Sequence, residues 1–161
     1  MSAIARNLRD DVHDAEVLEL HGQAPPREQD RAVSERGAGQ PTRIIVATSI
    51  AESSLTVPGV SIVVDSCLSR VPMYDSGRGM SGLVTVSTPR ASAVQRAGRA
   101  ARLGPGTVIR CVDERTFVAA PAFATPEIFS ADLTDAALLL ACWGAPRGEG
   151  LRLPDALPPV A

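Results

Sequence analysis

The sequence contains no lysine, so all 16 of its basic residues are arginine. Aromatic residues make up only 3% of the chain, and a hydrophobic core therefore has to be built from Ala, Val, Leu and Ile. The longest apolar run, Ala136–Trp143, is far shorter than the roughly 20 apolar residues that cross a bilayer. The first residues also lack an apolar signal segment. These absences predict a soluble, cytoplasmic protein with no membrane partner.

Cysteine gives no sign of a metal site or of a disulfide framework. The three cysteines, Cys67, Cys111 and Cys142, are odd in number and far apart, and no two of them form a CxxC pair. Buried free thiols are the usual state of such residues in a reducing compartment. We therefore expect neither a structural disulfide nor a bound metal.

Arginine is concentrated in one part of the chain. With 161 residues, of which 45% are apolar, the chain is long enough for one domain with its own core. The net charge of −2 indicates little about partners, but residues 70–110 hold seven arginines against a single acid, Asp75. A local basic patch in an otherwise acidic chain is typical of an anion-binding site. The seven are Arg70, Arg78, Arg90, Arg96, Arg99, Arg102 and Arg110.

The order of apolar segments predicts an α/β fold. Short apolar runs bounded by turn residues alternate with helical segments, which is the pattern of a parallel sheet flanked by helices. The runs at 43–47 and 61–65 are apolar in their centres, so both are expected to be buried on both sides. Residues 70–87 are typical of a hairpin that projects from the sheet, and Thr88 and Pro89 of an N-cap and first turn. Strands are predicted at 17–20, 43–47, 61–65 and 107–112, and helices at 2–9, 25–36, 50–54, 88–102, 126–129 and 134–143.

Residues 95–102, with the sequence QRAGRAAR, carry the most specific pattern. On a helix, Gln95, Arg99 and Arg102 are spaced i, i+4 and i+7 and share one face. Arg96 points about 100° away from that face. Two planar guanidinium groups beside an amide suit a phosphate, since arginine is always charged and binds phosphate oxygens bidentately. The alternative is a solvated basic face without a ligand.

A second block lies about 40 residues before this stripe. Residues 47–60 have the sequence ATSIAESSLTVPGV, and residues 63–66 follow as VVDS. Together with residues 95–102, these blocks resemble motifs V and VI of the DEAH-box family of superfamily 2 helicases. Residues 68–72 and 121–123 are similar to the bacterial HrpB type within that family.

The resemblance covers roughly residues 17–145 and implies a RecA-like fold, a parallel sheet flanked by helices with a projecting β-hairpin. It implies the second RecA-like domain of an ATP-dependent helicase over residues 1–120. The start of a winged-helix region would follow over 121–145, and a flexible tail over 146–161. In that family ATP binds with Mg²⁺ in the cleft between this domain and a first RecA-like domain, which would be a partner in cis or in trans. The other implied partner is nucleic acid, with RNA favoured over DNA.

The resemblance also implies roles around the bound ATP. Gln95 would position the attacking water or the γ-phosphate. Arg99 and Arg102 would act as arginine fingers on the charge of the transition state. Glu52 would orient the motif V loop at the nucleotide, and Asp65 would be an acid on the nucleotide side. From the residues alone, Asp65 is equally consistent with a cap at the end of a strand.

Other residues are implied in contacts with nucleic acid. Thr48 and Ser49 follow a predicted strand, and open α/β sheets bind ligands beyond the carboxyl ends of their strands. The resemblance implies that both reach the nucleic-acid backbone, and their expected location agrees with this rule. The predicted hairpin matches the element with which the family separates or guides strands, so Arg70 and Arg78 would also contact nucleic acid. Arg96 would serve packing or a salt bridge.

Several family features are missing from the sequence. A Walker A loop needs a lysine, and the Asp-Glu-Ala-His motif is also absent, so the first RecA-like domain is expected to hold Mg²⁺ and the phosphates. The strand of motif IV is expected before residue 1. Ser49, Cys67 and Ala101 replace the family's usual Asn, Gly and Gly. We therefore expect the isolated chain to hydrolyse no ATP. The alternative function is a non-catalytic remnant or interaction module that binds RNA or a partner through its arginine patch.

Overall fold

A computed structural model describes residues 2–53, 55–75 and 77–152. The strands in that part of the chain are β1 (Ala15–Leu20), β2 (Thr42–Ala47), β3 (Ile62–Asp65), β4 (Leu68–Asp75), β5 (Met80–Ser87) and β6 (Thr107–Arg110). The helices are α1 (Ser2–Asp11), α2 (Pro26–Val33), α3 (Ile50–Ser53), α4 (Arg90–Ala97), α5 (Glu114–Ala119) and α6 (Thr134–Cys142), with a 3₁₀ turn over Glu127–Phe129.

The described strands pair two by two. β1 and β2 are parallel, and their register places Leu20 beside Ala47 at the carboxyl edge. β3 and β6 are also parallel, whereas β4 and β5 form an antiparallel hairpin. Parallel strands, flanking helices and a projecting hairpin confirm the predicted α/β class.

The core is small and aliphatic, as expected for a chain with few aromatic residues. Leu18, Leu20 and Ala32 form its buried centre, where α2 packs on β1. The inner face of β2 and the segment around α3 complete it. The partly buried residues packed against this centre are Val33, Ile45, Ile50, Ala51, Leu55 and Val57.

The prediction that two strands are buried on both sides was wrong. Residues 43–46 of β2 are only half-buried, and Ile62 and Val64 of β3 are 60% and 65% exposed. The register places Val64 beside Ile109 of β6, on a face that the other described elements leave largely open. β-branched residues therefore favoured strand formation here without determining burial.

The predicted hairpin is present, and it begins two residues earlier than predicted. Its pairing runs from Leu68 opposite Ser87 to Asp75 opposite Met80, so residue 70 lies within a strand. The glycines at 77, 79 and 82 have the spacing GxGxxG, which dinucleotide-binding loops use at a helix start. Here they lie at the hairpin tip and in β5, with no helix after them. The spacing therefore does not indicate a dinucleotide site.

α2 and α5 both differ from the sequence prediction. α2 ends at Val33, three residues early, because Ser34 is extended and its hydroxyl donates to the carbonyl of Arg31 at 2.8 Å. The sequence analysis missed α5. Asp113 caps it, since its carboxylate accepts a hydrogen bond from the backbone N–H of Thr116 at 2.8 Å. Such a cap is a recognisable signal for a helix start.

No helix in the described part of the chain is long and apolar enough to cross a membrane. Ser54 of the predicted segment 50–54 lies outside the described residues, as do residues 153–161 of the predicted tail. The division into a RecA-like domain, a helical region and a tail stays a prediction.

Candidate phosphate site

α4 carries the arginine stripe, and a distant loop holds its start. Pro89 stands at the N-cap position and provides no side-chain cap. Two free amides of the first turn donate to backbone carbonyls instead. Arg90 N–H donates to Pro121 at 2.8 Å, and Ala91 N–H donates to Ala122 at 3.0 Å. Because free N–H groups at a helix start need such partners, this loop fixes where α4 begins.

The predicted N-cap, Thr88, has a different role. Its side chain is buried, and its Oγ1 lies 2.8 Å from Oγ of Ser69 in β4. Its backbone N–H donates to the carbonyl of Cys67 at 2.8 Å. Thr88 therefore ties the start of α4 to the first residues of the hairpin and does not cap the helix.

The regular helix ends at Ala97, five residues before its predicted end, and residues 98–101 form tight turns. Within them Arg99 N–H donates to the carbonyl of Arg96 and Ala100 N–H to that of Ala97, both at 3.0 Å. These i→i+3 bonds continue the helical direction more tightly. The side chains on either side of the helix end therefore keep a common face.

Gly106, the residue immediately before β6, packs closely against this turn. A Cβ on Gly106 would overlap the backbone carbonyl group of Ala100, which is itself buried. Nothing lies within 4 Å of the corresponding position on Gly104. The close approach of two backbones therefore requires glycine at 106 and not at 104.

Gln95, Arg99 and Arg102 line one open cleft of about 340 Å³. Glu52 and Gly98 complete its lining. Gln95 and Arg102 are exposed, and Arg99 is half-buried. The predicted common face is present, although the helix itself stops in the middle of the stripe.

The two cleft arginines are anchored to the motif V segment and keep donors to spare. Arg99 donates from Nη1 to the carbonyl of Leu55 at 3.1 Å and from Nη2 to the carbonyl of Glu52. Arg102 donates from Nη1 to Oγ1 of Thr56 at 2.9 Å. A guanidinium carries N–H donors on each of its nitrogens. The cleft therefore offers unused donors and positive charge to an anion.

Arg96 points to the other side of α4, where its donors are engaged. Its Nε donates to Oε2 of Glu52 and its Nη1 to Oδ1 of Asp65, both at 3.0 Å. Nη1 also donates to the carbonyl of Leu68 at 3.2 Å, and Nη2 to Oγ of Ser69 at 3.0 Å. Burial alone would lower the pKa of Arg96, but the hydrogen bonds with the two carboxylates outweigh it and raise the pKa. The predicted salt-bridge role of Arg96 is confirmed.

Glu52 and Asp65 lie at different distances from the cleft. Glu52 lines it, but its carboxylate is turned to Arg96. Asp65 is 4% exposed and does not line it. Its Oδ1 accepts from Arg96 and from the backbone N–H of Cys67 at 2.9 Å, as a strand-end cap does, while its Oδ2 is buried without a hydrogen-bond partner. The carboxylates of both acids therefore pair with Arg96, and only Glu52 borders the cleft.

The four residues expected to contact nucleic acid lie at two places. Thr48 and Ser49 are exposed at the carboxyl end of β2, and their carbonyls accept the first bonds of α3. Arg70 is exposed on β4. Arg78, at the hairpin tip, is 81% exposed at its side chain and lies 3.7 Å from Asp75.

A larger depression, of about 730 Å³, lies at the amino edge of β1 and β2. Its two best-placed cations, Arg31 and Arg43, are both paired with Glu16. Asp14 and Glu35 add further negative charge. It therefore disfavours a phosphate despite its size. Among the described residues, no group of three or more His, Cys, Asp or Glu side chains could hold a metal ion.

Residues 2–104, more than half of the chain, match the helicase conserved C-terminal domain family. The chain belongs to this helicase family. The ATP-dependent RNA helicase HrpB of Escherichia coli (strain K12) is 35% identical to it over 131 residues, which cover 81% of this chain and 16% of HrpB. The ATP-dependent RNA helicase HrpA of the same organism is 36% identical over 129 residues, which cover 80% of this chain and 10% of HrpA.

The fold of this helicase domain agrees with a solved relative. The crystal structure of the Escherichia coli DEAH/RHA helicase HrpB matches 98% of this chain and 20% of that chain, with 30% identity and a TM-score of 0.89. The predicted RecA-like fold and the resemblance to DEAH-box helicases are confirmed. The matched segment spans a fifth or less of the length of these relatives.

Cys67 is one departure of this helicase domain from the family pattern, and its backbone conformation shows how the position is accommodated. Its φ of 55° lies in the left-handed region that favours glycine, the residue the family usually has there. Burial, followed by the charge of Asp65, raises the pKa of the thiol. Cys67 therefore keeps a glycine-like backbone and an unreactive thiol. The sequence analysis missed the position of Ser69 beside Arg96, since an isolated serine in a strand gives no such signal.

Proposed function

We propose that the chain acts as the second RecA-like domain of an ATP-dependent RNA helicase. The observation that carries the proposal is the cleft of Gln95, Arg99 and Arg102, in which unused arginine donors and an exposed amide face the same opening. The family match and the printed names of HrpB and HrpA support it, since both are ATP-dependent RNA helicases.

In this proposal the cleft meets the phosphates of an ATP held by a first RecA-like domain. Arg99 and Arg102 bind phosphate oxygens and stabilise the charge that develops during phosphoryl transfer, which is catalysed mainly by positioning and electrostatics. The Gln95 amide orients the attacking water. The donor set fits a triphosphate, because the Glu52 carboxylate that borders the cleft is neutralised by Arg96.

Magnesium, when bound, would offset charge on the phosphates, and the first RecA-like domain would hold it. The cleft itself suits phosphate and not a cation, because its carboxylate is already paired. Glu52 and Asp65 contribute to the nucleotide site indirectly, by holding Arg96 and thereby α4.

The nucleic-acid surface in this proposal comprises Thr48, Ser49, Arg70 and Arg78. All four are exposed, and they combine hydroxyl and guanidinium donors suited to phosphate and sugar. In this proposal the hydroxyls and the guanidinium groups contact phosphates and sugars and not base edges, so the contact is independent of RNA sequence.

The test is a chimaera of Escherichia coli HrpB in which the segment matching this chain is replaced by it. We expect RNA-stimulated ATP hydrolysis, and we expect Arg99→Ala to lower kcat by about a thousandfold, the scale of an arginine finger. Arg115→Ala is the matched control, because Arg115 is an exposed arginine outside the cleft. Thermal melting verifies that each variant folds.

A non-catalytic module predicts a different result. The folded chimaera would then hydrolyse no ATP, while the chain would still bind RNA through its arginines with a strong dependence on salt. Unchanged kcat in both Arg99→Ala and Arg102→Ala would contradict the finger assignment even if the chimaera is active.

A further inference from the structure

Arg96 joins three elements, of which α3 borders the proposed nucleotide site. Its guanidinium contacts Glu52 in α3, Asp65 at the end of β3, and the first two residues of β4, Leu68 and Ser69. The side chain is only 16% exposed. A planar group with this many directed bonds holds its neighbours in fixed relative positions.

Ser69 extends this connection into the hairpin. Its Oγ accepts from Arg96 Nη2 at 3.0 Å and shares a hydrogen bond of 2.8 Å with Thr88 Oγ1. Thr88 follows the last residue of β5 and precedes the N-cap of α4, so it stands where the hairpin ends and the helix begins. The two strands of the hairpin are therefore linked to α4 by one pair of hydroxyls.

The same residue on α3 holds both sides of the helix end. The carboxylate of Glu52 accepts from Arg96, while its carbonyl accepts from Arg99. If Arg99 turns towards a phosphate, it gives up the Glu52 carbonyl, and the residue that orients Arg96 loses one of its hydrogen bonds. A displacement of Arg99 in the cleft can therefore reach the first residues of the hairpin through Glu52 and Arg96.

We propose that Arg96 and Ser69 form a positioning link that couples the cleft arginines to the β4–β5 hairpin. The link deepens the proposed function and rests on it. Its consequence is that RNA held by the hairpin raises ATP hydrolysis through Ser69, so that loss of the hydroxyl reduces RNA stimulation and spares basal hydrolysis.

The experiment measures ATPase with and without RNA in the HrpB chimaera. We expect Ser69→Ala to lower the stimulation factor by about fivefold or more, the usual scale of coupling between sites, with basal hydrolysis nearly unchanged. Ser69→Thr keeps a hydroxyl and should restore stimulation. Ser87→Ala is the matched control, because Ser87 is an exposed hairpin serine paired with Leu68 and has no such link.

Three results overturn the link. If RNA stimulates the Ser69→Ala variant as strongly as the unmodified chimaera, the link does not exist. If basal and stimulated rates fall in parallel, Ser69 has only a structural role. If Ser69→Thr does not restore stimulation, the hydroxyl of Ser69 is not what couples the two sites. If Ser69→Ala does not fold, Thr88→Val and Thr88→Ser repeat the test from the other hydroxyl. An inactive unmodified chimaera is a separate result, because it contradicts the proposed function itself.

Hydrogen exchange on the intact chain tests the link without activity. We expect Ser69→Ala to accelerate exchange of the amides of Gly98, Arg99 and Ala100, which are held by the turn after α4. Ser87→Ala should leave these amides unchanged. Unaltered exchange in Ser69→Ala would show that the hairpin and the turn are independent.

Discussion

Arg96 and Arg99 are separated by less than one helical turn, yet their side chains differ in most of their partners and in their access to the cleft. The donors of Arg96 are directed at two carboxylates, a carbonyl and a hydroxyl behind α4. Arg99 is held by two carbonyls and, with Arg102, borders an open cleft. Two arginines of one motif can therefore have different roles. Their hydrogen-bond partners, and not the residue type, decide which one is structural and which one faces the cleft.

The largest expected effect is the absence of ATP hydrolysis by the isolated chain. We expect the isolated chain to release no phosphate from ATP above background in a phosphate-release assay. The chain has no lysine to reach the β- and γ-phosphates, so the proposed arginine fingers would have no bound phosphate to act on. Robust turnover by the purified chain would contradict the proposed division of the site between two domains.

Removing Arg96 should be the most destabilising arginine substitution. Arg96→Ala leaves the Glu52 and Asp65 carboxylates without their cation, and loss of one partner from a buried ion pair costs about 3 kcal/mol or more. Denaturant unfolding of the intact chain measures this. A loss as small as that of an ordinary surface substitution would place Arg96 among the exposed arginines and remove the contrast with Arg99.

A backbone change should test the turn that presents the arginines. Gly106→Ala forces a Cβ into the carbonyl group of Ala100 and should lower the free energy of unfolding by about 2 kcal/mol, as overpacking does. Gly104→Ala is the control, because nothing lies within 4 Å of its Cβ position. Equal unfolding midpoints for the two variants would show that the close approach at Gly106 is absent.

The smallest expected effect is on stability at the cleft. Arg102 is exposed and makes one side-chain hydrogen bond, to Thr56, so Arg102→Ala should change the free energy of unfolding by less than about 0.5 kcal/mol. The same denaturant unfolding of the intact chain measures it. A large loss of stability would assign Arg102 to the fold and weaken its assignment as a finger.

Much of this site followed from spacing. The i, i+4, i+7 pattern correctly placed Gln95, Arg99 and Arg102 on one face, because the tight turn after Ala97 continues the helical direction. The parallel strands and the hairpin were also predictable, since β-branched runs and glycine-rich turns are local signals. Motif order then identified the family, which local physics could not.

The remainder depended on contacts between distant segments. Nothing in the sequence near Thr88 indicates that Ser69 takes its hydroxyl and that the loop at Pro121 caps α4 instead. The exposed face of Val64 depends on which elements cover β3, and its β-branched side chain gives no information on that. Burial and capping at these positions are tertiary properties, which override local propensity.

The most direct test of the central claim compares two arginines in the HrpB chimaera, with kcat expressed per folded molecule. We predict that Arg99→Ala keeps a normal melting transition and loses about a thousandfold in RNA-stimulated kcat, as removal of an arginine finger does. Arg96→Ala should instead lower the melting temperature more than Arg99→Ala does. A folded Arg99→Ala variant that hydrolyses ATP at the rate of the unmodified chimaera would contradict the assignment of this cleft to phosphoryl transfer.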